Sequence, residues 1–477
     1  MMLQSEAVPN PLYFFDTLEQ FGSSYALLTP ERQVTYAELA SCADQIAESV
    51  PARSLVFCLC QNQVASIVGY LGFLRKRIVP VLLSAQIRAE VLSELIDAYE
   101  PHFLWYPEHI NLDMIAKHII HQSDGYVLAC RNSPLQVQFF RELAVLMTTS
   151  GSTGNPVFVR QSYQNIVSNT SSICSSLSLT QSDRPITTLP MHYTYGLSVL
   201  QTHLSQGASV VLNESSILEK PFWELARYYE VSSFAGVPYL YELLKRLNLR
   251  RVNLPSLRVM TQAGGAMRPE MVRYFAEVCA EKGIRFYCMY GQVEATARMA
   301  CLSAEFALAK AGSIGKAIPG GCFWLEDEQG KVIDVSCVPG ELCYAGPNVS
   351  LGEASGYADL QLADHHAGVL KTGDVAYRDE DGFYYIVGRK KRFVKLFGNR
   401  INLADVEELV CSRGYECACT GDDSVVRVHT TAPEEDHVVI LRMLADSLLI
   451  HASAFRVIPI ESLPRNEAGK ILYAQLD

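Results

Sequence analysis

Between Ser54 and Gly291, short apolar runs alternate with amphipathic stretches, and this alternation restricts the fold more than any other feature of the chain. Ser54–Cys60 reads as a strand, Val64–Leu74 as a helix, Ile78–Leu83 as the next strand and Ala89–Ala98 as the helix after it. The pattern returns with strands expected at Ala208–Leu212, Leu257–Thr261 and Arg285–Tyr290. Strands separated by helices pair in parallel, and parallel sheets need helices on both faces to bury them. Upstream, Thr35-Tyr-Ala-Glu38 has the spacing of a capping box, which predicts a helix running towards Val50. At 477 residues the chain exceeds what one hydrophobic core supports, and two to four units are expected.

After about Gly312 the texture changes. Gly and Pro become frequent, and runs such as Gly382-Phe-Tyr-Tyr-Ile-Val387 suggest a compact antiparallel β unit. Gly388-Arg-Lys-Lys-Arg392 then breaks the apolar pattern and reads as a joint. The expected fold is therefore α/β: a large lobe, 1–388, of parallel sheets covered by helices plus the β unit. A small α+β lobe, 389–477, follows, with a helix starting near Leu403.

Composition narrows the function classes. Apolar residues make up 49% and charged residues 19%, which describes an ordinary globular chain and not a disordered one. A net charge of −11 argues against nucleic acid as a partner. Val64–Leu74, the most hydrophobic window, is too short to span a bilayer and runs into Arg75-Lys76-Arg77. The N-terminal residues lack the basic and apolar regions of a secretory signal, so a cytoplasmic location is expected. The 14 cysteines include no C-x-x-C pair and read as reduced thiols, not as a zinc site.

The densest chemical signal is Met147-Thr-Thr-Ser-Gly-Ser-Thr-Gly-Asn-Pro156, which follows the apolar run Leu143–Met147. A strand that delivers a glycine- and hydroxyl-rich turn suits a polyphosphate, because backbone N–H groups can approach closely and hydroxyls add donors. The spacing is not that of G-x-x-x-x-G-K-[ST]. Four further segments follow in order: Tyr290-Gly-Gln-Val-Glu294, Lys371-Thr-Gly-Asp374, Gly388-Arg389 with Lys395–Arg400, and Pro464-Arg-Asn-Glu-Ala-Gly-Lys470. Together the five resemble the adenylate-forming superfamily of acyl-CoA synthetases, adenylation domains and luciferase-like enzymes, over nearly the whole chain.

That resemblance implies ATP- and Mg²⁺-dependent activation of a carboxylic acid to an acyl-adenylate, followed by transfer to a thiol of coenzyme A or of a carrier-protein phosphopantetheine. It assigns the phosphates to Thr149, Ser150, Gly151, Ser152, Thr153 and Gly154, and Mg²⁺ to Glu294, a hard ligand for a hard cation. Tyr290 and Gly291, with Gly264, Gly265 and Ala266, would adjoin the adenine, and Asp374 would accept from both ribose hydroxyls. Arg389 would reach the nucleotide. Lys470 would bridge substrate carboxylate and phosphate as a mobile catalytic group, with a hinge at Lys391 and Gly398 leaving room for the thiol. The acid pocket would draw on His192, Tyr193, Tyr195, Gly236 and Gly265.

Three departures from the family pattern stand out. The lysine that usually follows the phosphate loop is Val157, with Arg160 three residues on as a potential substitute; the threonine before the magnesium glutamate is Val293; and the aromatic-His pair reads His192-Tyr193. No acidic residue lies between Thr187 and Gln206 to pair with a substrate ammonium, so an aryl or aliphatic acid is expected in preference to an α-amino acid. Two alternatives stay open from sequence: a repurposed relative that binds without adenylating, and ligation to an amine.

Overall fold

The computed structural model describes residues 13–112, 115–131, 138–148, 157–396, 399–422, 424–448, 450–467 and 469–476. The strand–helix alternation expected from sequence is present. Strand Leu55–Cys60 is followed by helix Val64–Arg75, strand Val79–Ser84 and helix Ala89–Tyr99. Every residue of strand Leu55–Cys60 is buried. Leu55, Phe57 and Leu59 face one apolar cluster while Val56, Cys58 and Cys60 face another. Burial on both faces is why this strand reads as an unbroken apolar run and not as an alternation.

Among the described residues, two large sheets share this logic. One runs in the order 353–354, 158–162, 143–148, 79–84, 55–60, 103–107, 126–130, 118–123. The other runs 316–317, 300–302, 285–290, 259–262, 233–236, 185–186, 210–211, 25–28, 33–35. Their centres are parallel, but the expectation of parallel sheets needs correcting at the margins. Strands 143–148 and 158–162 pair antiparallel, as do 103–107 with 126–130, 285–290 with 300–302, and 25–28 with 33–35. Antiparallel neighbours need no helical crossover between them, as in the tight connection from 25–28 to 33–35. The strand expected at Ala208–Leu212 contracts to Val210–Val211, and that at Leu257–Thr261 shifts to Val259–Gln262.

Thr35 caps helix Tyr36–Glu48 by accepting from the Glu38 amide, as its spacing predicts. Further on, strands 322–326, 340–345, 369–378 and 384–389 form a wholly antiparallel sheet. Its last pairing sets Asp374 directly opposite Arg389. Beyond it lie the 3₁₀ turn Lys390–Arg392, hairpin 393–402, helix Leu403–Cys411, and a three-stranded sheet of 417–421, 426–430 and 455–459 backed by helix Glu434–Leu448. One apolar cluster in this region, from Val394 to Phe455, is built from its own buried residues. No helix among the described residues is long and apolar enough to cross a membrane.

Candidate active site

The antiparallel sheet and the strand Arg285–Tyr290 bring three separated segments, at 290–292, 372–374 and 389, to one place. Asp374 is almost fully buried, yet both carboxylate oxygens are used. Oδ1 accepts from Arg389 Nε at 2.9 Å; Oδ2 accepts from the Tyr290 hydroxyl at 2.5 Å and from Gln292 Nε2 at 2.9 Å. Gln292 also donates to the Thr372 carbonyl at 3.0 Å, tying the two motif segments together. Burial, with the adjacent Asp374 charge, holds the Tyr290 phenol well above its ordinary range, so it stays a donor.

Glu294 lies in the short turn Val293–Ala295 after this strand. Burial, with a smaller push from Glu353, raises its carboxyl above the usual range, while Arg389 and Lys470 act in the opposite sense. Burial, then Arg389, lowers the Lys470 ammonium; Glu294 and Asp374 oppose the shift. Glu294, Asp374, Arg389 and Lys470 are thus near enough to influence one another's charge. Among the described residues no three His, Cys, Asp or Glu side chains gather into a metal cage. A half-buried carboxylate such as Glu294 fits Mg²⁺, which takes one or two carboxylates and fills its octahedron with phosphate oxygens and water.

Lys470 is carried by a tight loop. Asn466 N donates to the Lys470 carbonyl, the Lys470 amide to Asn466 Oδ1, and the Gly469 amide to the Asn466 carbonyl, all at 2.8–2.9 Å. Gly469 has φ +73°, and a Cβ there would sit 3.2 Å from Tyr239, so glycine serves both the turn and the close approach. Arg465 lies over the Tyr239 ring, 5.0 Å from its centroid. Glu467 reaches His192 Nε2 at 3.4 Å and accepts from the Ser84 hydroxyl. His192 Nδ1 is buried without a partner, and burial lowers the ring's pKa, so the neutral ring presents Nε2–H to Glu467.

Beside His192, a Cβ on Gly264 (φ +81°) would come within 2.4 Å of the Tyr193 hydroxyl, so the Tyr193 ring lies against this bare backbone. Gly265 and Ala266 continue that turn at the surface, and Gln262 Nε2 donates to the Gly265 carbonyl at 2.9 Å. Gly236 is buried against Leu240 and Tyr241, and half-buried Gly291 lies against the Ala297 carbonyl. Tyr195 departs from the expected pocket position: its hydroxyl bonds Thr261 at 2.8 Å and its buried ring belongs to the core. Lys391 lies in the turn Lys390–Arg392. Thr149, Ser150, Gly151, Ser152, Thr153, Gly154 and Gly398 lie outside the described residues.

Two of the departures acquire physical content. Val293 packs into the large core cluster, where an aliphatic side chain is at home. Arg160 does not substitute for the lysine missing at 157. It is fully buried, and its guanidinium donates to the carbonyls of Leu351 at 2.8 Å, Glu353 and Ala363 at 3.2 Å, and Leu362. It ties strand 158–162 to the 351–363 segment.

Sequence reasoning missed the roles of Gln292 and Glu467. Gln292 lay inside a motif already singled out, and Glu467 inside another; their partners are distant in sequence. The turn after Glu294 was also not foreseen. Thr296 adopts φ 67°, ψ −68°, and the Ala297 amide donates to the Ala295 carbonyl at 2.9 Å, a strained γ-turn. Asn348 Nδ2 donates to the carbonyls of Ala295 at 2.9 Å and Arg298 at 3.2 Å, and Asn169 Nδ2 to Arg298 at 2.7 Å, which holds the turn.

Comparisons with known proteins bear on the chain as a whole. A family model described as AMP-binding enzyme matches residues 14–352. A 2-succinylbenzoate–CoA ligase of Bacillus mycoides is 30% identical over 72% of this chain and 71% of its own length. The same-named protein of Bacillus cereus is 28% identical over 97% and 98%. The solved o-succinylbenzoate CoA synthetase of Bacillus subtilis, in complex with its acyl-adenylate intermediate, superposes with a TM-score of 0.80 at 23% identity, covering 98% of both chains. That last likeness is one of fold.

Proposed function

The chain belongs to the AMP-binding enzymes, and on that premise we propose that it is an AMP-forming acid–thiol ligase that activates a small carboxylic acid with ATP and Mg²⁺. A substrate carboxylate oxygen attacks the α-phosphorus of ATP, the P–O bond to pyrophosphate breaks, and an acyl-adenylate results. A thiolate then attacks the acyl carbon and AMP leaves with the oxygen that came from the acid. The single observation supporting this reading is the hydrogen-bond network that joins Tyr290, Gln292 and Arg389 to Asp374, with Glu294 in the next turn and Lys470 close enough to be influenced by both carboxylates.

Each residue does work suited to its surroundings. Asp374, fixed by Arg389, Tyr290 and Gln292, would turn its remaining acceptor capacity to the ribose. Glu294 would hold Mg²⁺, which when bound neutralises phosphate charge. Lys470, desolvated in the cleft, supplies a positive charge between the reacting carboxylate and the α-phosphate, where low dielectric strengthens it. The segment from 389 onward, with its own apolar cluster, carries Lys470 in for adenylation and away for thiol transfer, turning near Lys391. The acid is aryl or aliphatic, in keeping with the named substrate of the Bacillus relatives. The thiol acceptor is coenzyme A, with a carrier-protein pantetheine as the second option.

The test is ATP–pyrophosphate exchange over a panel of carboxylic acids, with coenzyme A and candidate carrier proteins then offered side by side and read by intact mass. Acid-dependent exchange that Lys470→Ala abolishes is expected. No exchange with any acid, from protein shown to be folded, overturns the reading in favour of a nucleotide-binding relative without adenylation, the alternative that Val157 and Val293 motivate.

A further inference from the structure

Glu294 stands in a turn whose carbonyls, from Val293 to Thr296, are each held by a group from another segment. The Val293 carbonyl accepts from Gln161 Nε2 at 3.2 Å, and the Thr296 carbonyl accepts from the same nitrogen at 3.3 Å. Between them, the Glu294 carbonyl accepts from the Ser350 amide at 2.9 Å and the Ala295 carbonyl from Asn348 Nδ2 at 2.9 Å. The Thr194 hydroxyl is a second donor to the Thr296 carbonyl, and the Thr296 hydroxyl donates to the Asn348 carbonyl at 2.7 Å. Thr296 itself sits at φ 67°, ψ −68°, which a threonine keeps only where its surroundings over-determine it. This restraint fixes the direction in which the Glu294 side chain leaves the backbone.

Among these donors, Gln161 is the one supplied by strand 158–162, the strand that follows the glycine- and hydroxyl-rich run in sequence. Gln161 is 1% exposed and pairs with Val145 across the sheet. Its neighbours Phe158 and Val159 join apolar clusters on the two sides of that sheet. A buried carboxamide needs partners, and this one has two N–H donors for two carbonyls, one on each side of Glu294. A methionine would fill much the same volume; what the amide adds is the bridge.

The residues beside Gln161 face elsewhere. Arg160 ties the same strand to carbonyls between Leu351 and Ala363, and Asn165 Nδ2, in the helix that follows, donates to the carbonyls of Pro347 at 2.8 Å and Val349 at 2.7 Å. Those bonds fasten the strand to the 347–363 segment, whereas Gln161 reaches the Glu294 turn directly. Mg²⁺ demands near-ideal octahedral geometry, so a ligand aimed wrongly binds it weakly. Groups that orient a metal's ligands are worth about 10- to 100-fold in metal affinity.

We propose that Gln161 is a positioning residue for the divalent cation: by bridging the carbonyls on either side of Glu294, it holds that carboxylate in the orientation in which Mg²⁺ meets it. Gln161 acts through the turn and not as a ligand, since its amide nitrogen is committed to the two carbonyls. This rests on the adenylation reading above and adds to it a residue outside the five motifs.

The experiment compares wild type with Gln161→Met, with Thr194→Val, and with Arg160→Met as a control on the same strand. Binding of α,β-methylene-ATP, which cannot release pyrophosphate, is measured by calorimetry in Mg²⁺ and again in EDTA. Gln161→Met should weaken binding roughly 10-fold in Mg²⁺, the low end of the range because its two bonds are neutral and long, and by less than about twofold in EDTA. Thr194→Val, which takes the other donor from the Thr296 carbonyl, should show a smaller loss that again needs Mg²⁺, and it carries the test should Gln161→Met not fold. Folded Arg160→Met should bind as wild type does in both conditions. Hydrogen exchange of the ligand-free proteins gives a readout without metal or substrate. The amides of Thr296 and Ala297, bonded to the Val293 and Ala295 carbonyls at 3.0 and 2.9 Å, should exchange about 10-fold faster in Gln161→Met. Equal weakening of binding in Mg²⁺ and in EDTA, or unchanged exchange at those two amides, overturns the inference and leaves the adenylation reading intact. Failure of wild type to bind the analogue in either condition removes both.

Discussion

Removing the Glu467 carboxylate isolates how the Lys470 loop is seated. Glu467 shares a loop with Lys470 but contacts Ser84, at the end of strand Val79–Ser84, and His192, just ahead of helix Thr194–Ser205. The rest of the seating comes from Arg465 over Tyr239 and from Gly469 against Tyr239 and Val237. A hydrogen bond to a charged group contributes about 1.5–3 kcal/mol when buried. The Glu467 side chain is 37% exposed and His192 is neutral, so solvent screening reduces the two contacts together to roughly 1–2 kcal/mol. That corresponds to about a 5- to 30-fold loss of the seated arrangement. Glu467→Ala should therefore lower acid-dependent pyrophosphate exchange by that factor. Thiol transfer from a preformed acyl-adenylate should stay within twofold of wild type, because the proposed movement takes the loop out of the site at that stage. An equal drop in both half-reactions, or an exchange rate within twofold of wild type, would refute the seating role.

Three further outcomes follow. Arg160→Met strips four backbone carbonyls of their shared donor, which should cost about 3 kcal/mol or more in urea unfolding without changing KM for ATP in the folded fraction; a raised KM at unchanged stability would restore a phosphate role to Arg160. His203, held neutral by burial with a pKa of about 4 against an ordinary 6.5, favours the folded state above pH 6.5, and that contribution is lost as pH falls towards 4 because the unfolded chain binds the proton first. Stability should decline by up to about 3 kcal/mol over that window and the slope should flatten in His203→Gln; an unchanged slope would show that other groups govern the acid limb. Val157→Lys, which restores the family's phosphate-contacting residue, should raise exchange about tenfold, and no gain would mean that the loop is organised differently here.

How far the sequence foretold this arrangement depended on whether a signal was local. Buried parallel strands declare themselves as unbroken apolar runs, so Leu55–Cys60 and Val79–Ser84 were readable, and the Thr35 cap was readable from its spacing. Val210–Val211 was over-extended because an apolar run does not state where pairing stops. Edge strands such as Lys316–Ala317, only two residues long, carry little pattern. At the site, Asp374, Glu294 and Lys470 stood inside motifs with a chemical rationale, whereas their convergence is a tertiary fact. Tyr195 was named as a pocket residue because an aromatic beside Tyr193 looks alike in either role; only its bond to Thr261 and the guanidinium above it separate the two. Arg160 and Arg298 could not be told apart from sequence. Both are buried arginines, yet one is saturated by carbonyls and the other faces a cavity.

The most direct measurement follows oxygen from the acid. With a carboxylic acid labelled by oxygen-18, ATP, Mg²⁺ and coenzyme A, one labelled oxygen should appear in AMP by mass spectrometry, in step with thioester formation, and Lys470→Ala should abolish the transfer. Label retained in the acid, or passed to inorganic phosphate with ADP as the other product, would contradict activation through an acyl-adenylate.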